Sequence, residues 1–186
     1  MRNILADIRR RRQQGLTLIE AAMVLAIAAL VVAGVMLFFQ NANNAQKTND
    51  AMGELAAIQQ VVRSLYSGQP DYTGLNAALL ANSKQLPNKM IVGVPPAATG
   101  LQDPFNATIT VTPVAVGGVN SQFSVEFDGL SIDACSKMAT VDLGTSLVSI
   151  AVNGQAATNG TTLTPGQANT QCNVTGNGSK IVWTFY

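Results

Sequence analysis

Hydrophobic and polar positions change pattern three times along the chain. From Ala21 to Phe39, nineteen consecutive residues (AAMVLAIAALVVAGVMLFF) carry neither a charge nor a strongly polar group. Counted from Leu16 the run is 24 residues, broken only by Thr17 and Glu20. As a helix rising ~1.5 Å per residue it covers roughly 36 Å, enough for the ~30 Å hydrocarbon core of a bilayer. After Phe39 the sequence turns polar but keeps a helical period. Met52, Leu55, Ile58 or Gln59, Val62 and Leu65 recur at three- and four-residue steps and make one apolar stripe. Ser67-Gly68-Gln69-Pro70 stops it. One helix is predicted from about Leu16 to about Leu65, apolar all round in its first half and amphipathic in its second.

The third regime is mixed. A connector between Asp71 and Asp103 holds one short helix, roughly Thr73–Lys84, and is otherwise loop because Pro87, Pro95, Pro96, Gly93 and Gly100 crowd it. Alternation then predicts a strand over Ala107–Val116, a Gly117-Gly118 turn and a partner strand over Gln122–Phe127. Ser131–Leu143 reads as a helix capped by Ser131, with Asp133 in its first turn. Ser146–Val152 and Lys180–Tyr186 read as strands. Thr164–Cys172 reads as a short helix with Pro165 at its first position. The fold class is therefore α+β: a long N-terminal helix packed on an antiparallel sheet of about four strands.

Composition removes most enzyme chemistries. The 186 residues contain no His, so there is no imidazole base, Ser-His triad or imidazole metal site. Two Cys cannot build a four-thiolate zinc site. Asp128, Asp133 and Asp142 do not have EF-hand spacing, and the glycines around 117, 144 and 176–178 make no phosphate-binding pattern. The sequence predicts no catalytic residue, no metal and no cofactor. Asn106-Ala107-Thr108, Asn159-Gly160-Thr161 and Asn173-Val174-Thr175 match the glycosylation sequon pattern.

The net charge of +1 hides an asymmetry. Residues 1–15 carry Arg2, Arg9, Arg10, Arg11 and Arg12 against Asp7, a net +4, which leaves −3 for residues 16–186. No basic patch remains for nucleic acid. Arginines ahead of an apolar span place the N-terminus in the cytoplasm and the bulk of the chain across the membrane. An ordinary signal peptide has a shorter apolar core and a small-residue cleavage site.

Glu20 sets this span apart. An ionisable group inside a membrane helix costs roughly 2.5–3.5 kcal/mol on insertion scales and marks a functional site. It needs a cation, yet no Lys or Arg lies between Arg12 and Lys47. Cutting after Gly15 would create one, the α-amine of Leu16. One helix turn gives poor geometry for self-pairing, whereas an adjacent copy shifted along the axis would present its amine to this carboxylate.

An Arg-rich leader, then Gly15, then LTLIE, then an unbroken apolar run resembles a type IV pilin precursor. Gly15, Leu16 and Glu20 match that family's Gly before the cleaved bond, hydrophobic first mature residue and Glu at mature position five. The run GLTLIEAAMVLAIAALVVAGVMLFFQ is similar to the bundle-forming pilins of the type IVb class and to conjugative thin-pilus pilins. The resemblance implies a layout: a leader at 1–15, a transmembrane and polymerisation helix at 16–40, an amphipathic helical half at 41–68 and a globular head at 69–186. It implies cleavage after Gly15 and N-methylation of Leu16 by a prepilin peptidase. Its implied partners are further copies of the chain in a helical filament, an assembly ATPase, an inner-membrane platform protein and an outer-membrane secretin. The precursor would sit in the inner membrane with its head in the periplasm. One departure is the lack of Pro between Leu16 and Ser67; Leu37 stands where type IVa pilins often carry it.

In an exported head, Cys135 and Cys172 are most simply read as one disulfide; two buried thiols are the alternative. In the family such a bridge bounds a variable region, here 135–172. Two other functional classes stay open: a pseudopilin or minor pilin with the same N-terminal chemistry, and an uncleaved bitopic membrane protein.

Overall fold

The structure is a computed structural model, and it describes residues 17–158, 160–174 and 178–186. The chain divides into two compact units, one ending at Ala42 and the other running from Asn43 to Tyr186. Helix α1 spans Leu18–Leu65 and contributes to both.

Among the described residues of the first unit, α1 is the one element. Thr17 starts it: its Oγ1 accepts the Glu20 amide at 3.3 Å, and its carbonyl accepts the Ala21 amide at 3.1 Å. This is the geometry of an N-cap, in which a Thr side chain takes up one of the first-turn amides that lack a helical partner. From Leu18 to Phe39 fourteen large apolar side chains are exposed. That is more contiguous grease than a soluble monomer leaves in water.

In the second unit the rest of α1 is one wall of a core. Ala51, Leu55, Ile58, Val61 and Val62 are buried in it, and Met52 and Leu65 are half-buried at its edge. The opposite wall is a seven-stranded antiparallel sheet in the order β1-β2-β3-β4-β7-β5-β6. Its strands are β1 (Ile91–Val92), β2 (Gly100–Gln102), β3 (Thr108–Val116), β4 (Val119–Leu130), β5 (Leu147–Val152), β6 (Gln155–Ala156) and β7 (Ser179–Phe185). The sequence anticipates β3, β4, β5 and β7. The three it omits are two or three residues long, too short to show a period, and they sit at the sheet's flanks.

Alternation along the four long strands puts apolar residues on the inner face, and the strand registers align them in rows. Val111 pairs with Val125, Val125 with Trp183, and Trp183 with Ile150. One step along, Ile109 pairs with Phe127, Phe127 with Ile181, and Ile181 with Val152. All are buried, and the Phe127 and Trp183 rings meet edge to face at 5.6 Å.

Among the described residues, three shorter α-helices lie in the head. The connector helix α2 is Ala77–Asn82, shorter than the predicted Thr73–Lys84. Asn76 caps it through the Leu79 amide, and Asp71 holds the Thr73 amide at 2.9 Å, so the residues before Asn76 form a turn. A 3₁₀ turn follows at Asn88–Met90. Helix α3, Ile132–Thr140, is capped by Ser131 as predicted and stops before Leu143 because Val141 is extended. Helix α4, Pro165–Cys172, begins at a reciprocal capping box between Thr164 and Gln167.

Candidate functional site

The side chains singled out by the sequence fall into two groups, one in each unit. Gly15 and Leu16, the expected cleavage and methylation positions, lie outside the described residues. Glu20 is in the first turn of α1 and exposed. As the third helical residue after the Thr17 cap it has its own amide engaged, while its carboxylate stands in an apolar stretch. A carboxylate at a helix N-terminus is favoured by the helix dipole, which leaves it an open acceptor for a cation brought from elsewhere. Among the described residues α1 is the helix with the length and apolar composition to cross a membrane.

In the head, Cys135 and Cys172 form a disulfide with their α-carbons 5.8 Å apart. It ties α3 to α4, and both residues are fully buried. Sequence and structure agree on this bridge. Beyond the bridge, Asn153 knits the same region together. Its Nδ2 donates to the Gln171 carbonyl at 2.7 Å and its Oδ1 accepts the Lys180 amide at 2.9 Å.

A third cluster was not anticipated. Glu54 lies on the buried face of α1, 4% exposed, and Asp103 lies between β2 and β3, 3% exposed. Lys89 Nζ stands 3.3 Å from Glu54 Oε1 and 3.4 Å from Asp50 Oδ2. Asp103 Oδ1 accepts the Phe105 amide at 2.8 Å and the Ala107 amide at 2.9 Å, which shapes the loop into β3. Burial pushes the Glu54 carboxyl above its ordinary range, and Lys89 pulls it only part of the way back. Burial raises Asp103 too, against the pull of the Ala107 and Phe105 amides. These residues line a cavity of about 300 Å³. The signal in the sequence was Glu54 itself, an acid set on the apolar stripe between Ala51 and Ile58. Among the described residues, no group of three or more His, Cys, Asp or Glu side chains is arranged to hold a metal.

Taken together, the described residues make a greasy helix with one acid at its start and a disulfide-stapled head. Comparison with known proteins shows the family. The bundlin family matches residues 40–186, and the prokaryotic N-terminal methylation motif matches residues 10–36. The chain is 31% identical, over 94% of its length and 95% of the relative's, to the major structural subunit of bundle-forming pilus from Escherichia coli O127:H6. It is 29% identical to the toxin coregulated pilin of Vibrio cholerae, over 69% of this chain and 57% of that protein. Among solved structures, a type IVb pilin from Salmonella typhi superimposes with a TM-score of 0.56 at 18% identity, covering 72% of this chain and 97% of that one. A type IV pilin from the El Tor biotype of Vibrio cholerae gives 0.54 at 13% identity, covering 76% of this chain and 99% of that one.

Proposed function

This chain belongs to the bundlin family of type IV pilins, and from that premise we propose that it is the precursor of a major pilus subunit of the type IVb class. Cleavage after Gly15 removes the arginine-rich leader and exposes the α-amine of Leu16, which a prepilin peptidase then methylates. The mature helix waits in the inner membrane with the head on the periplasmic side. An ATPase and a platform protein lift subunits into a filament, which leaves through a secretin and serves adhesion, aggregation or mating contact.

The observation that carries this reading is the first unit of α1. Fourteen large apolar side chains stand exposed there, with one carboxylate at the start of the helix. Burying each such side chain contributes roughly 1.5–3 kcal/mol, so neighbouring copies are a strongly favoured cover once the helix leaves the lipid. The carboxylate fixes how they align. In a low-dielectric stack an unpaired Glu20 is costly, and it is relieved only where the next copy's Leu16 amine falls beside it. The hydrophobic surface thus supplies the affinity and the ion pair supplies the axial register.

Two measurements on material sheared from cells test the proposal. Mass spectrometry of the N-terminus should find methyl-Leu16, and imaging should find long filaments made mostly of this chain. An N-terminus at Met1 would refute cleavage. A trace presence in filaments of another subunit would make the chain a minor pilin.

A further inference from the structure

Where α1 meets the connector, the head buries more negative charge than it has cations to neutralise. Lys47, Asp50 and Glu54 face this region from α1, Lys89 from the 3₁₀ turn, Asp103 from the loop before β3, and Asp128 from β4. Lys89 is shared between Asp50 and Glu54. Lys47 places its ammonium 5.6 Å from the Phe105 ring centre. That leaves Glu54 Oε2 and Asp103 Oδ2, both closed to solvent and neither meeting a hydrogen-bond donor. A buried carboxylate in this position is relieved most directly by taking a proton.

We propose that Glu54 and Asp103 form a proton-uptake latch, which fastens residues 86–106 onto α1 more firmly in mildly acid than in neutral solution. The proton comes from solvent and forms an O–H bond on one of the two unpartnered oxygens. With one of the pair neutral, Lys47 and Lys89 face Asp50, Asp128 and a single remaining member of the pair, so the local net charge falls from −2 to −1. Glu54 Oε1 still accepts from Lys89 after protonation, so the latch keeps its geometry while losing its repulsion.

The sign follows from burial. Both carboxyls titrate above their ordinary values of 4.5 and 3.8 in the folded chain. Their favourable contribution is therefore complete below those ordinary values and is lost as pH rises through the folded ones. Asp71 works the other way. The Thr73 amide holds its carboxyl below 3.8, so its contribution fails only in stronger acid. Between neutrality and mild acid the latch sets the slope.

The test uses the full chain in detergent micelles. Amide exchange of peptides spanning 86–106, corrected for intrinsic rates, is followed from about pH 7.5 to about pH 5. Protection should rise severalfold across this range as the pair takes up its proton. Glu54→Gln and Asp103→Asn should flatten that rise, with Glu54→Gln already as protected at neutrality as the wild type is in acid. Equal slopes in wild type and both variants would overturn the proposal. Should a variant fail to fold, isotope-edited infrared titration of the wild type decides. A protonated carboxyl band persisting above the ordinary carboxyl range supports the latch, and its absence there overturns it.

Discussion

Gly178 lies so close to Gly129 that a β-carbon added to Gly178 would stand 2.7 Å from the Gly129 carbonyl carbon. The contact joins the entry to β7 with the irregular end of β4, where the pairing shifts between Phe127 and Leu130. Gly178 also has φ +100°, outside the range other residues favour. Gly178→Ala should therefore cost about 2–4 kcal/mol, from backbone strain plus overpacking against atoms that cannot swing aside. Gly144→Ala is the control. It shares a positive φ of 82° but meets nothing within 4 Å, so it should cost only about 1–2 kcal/mol. Denaturant midpoints of the two variants measure the difference.

Replacing Glu20 with Ala should leave the chain inserted in the membrane but poor at filament growth. The incoming Leu16 amine would then enter an apolar stack with no counter-charge, and sheared filament should fall about tenfold or more. Quantifying filament against total subunit in membranes separates assembly from expression. Normal piliation would sink the ion-pair mechanism.

Thr17 can be tested apart from Glu20. Thr17→Val keeps the shape and removes the oxygen that accepts the Glu20 amide. Loss of such a cap costs ~1 kcal/mol, so exchange at the Glu20 amide should quicken about fivefold. Thr17→Ser should restore wild-type exchange.

Converting both Cys135 and Cys172 to Ser should lower head stability by roughly 3–4 kcal/mol, the chain-entropy value for a loop of this size. Exchange should quicken most in α3 and α4, which the bridge ties together. Reduction of the wild type with a thiol should reproduce the loss.

How far the sequence alone reached can be traced to length and period. The apolar run from Ala21 to Phe39, the stripe of Leu55, Ile58 and Val62, and the alternation of Ile109 and Val111 all span several repeats; the run is helical, and the stripe and strand residues are buried in the head. The cap at Ser131 was legible because a hydroxyl followed by a helix-forming run has few other meanings, and Pro165 announced the start of α4. The strands at Ile91–Val92, Gly100–Gln102 and Gln155–Ala156 were not. Each is held by pairing with a neighbouring strand, a long-range relation that two or three residues cannot announce. Glu54 and Asp103 were missed for a similar reason. Whether an acid is buried depends on what closes over it, here Lys89 and the loop before β3, separated from α1 by more than twenty residues of connector.

The sulfur bridge in the head bears on how such a fibre would respond to being hauled lengthwise. Cys135 and Cys172 are separated by 37 positions, a length of polypeptide that would reach roughly 120–130 Å if drawn out straight. With the bridge intact, a tug arriving from either side is relayed across the 5.8 Å between the two α-carbons, and that slack is never released. Under tension each subunit would thus give up little extra length through this segment. A reducing agent should turn the same fibre from stiff cord to extensible thread.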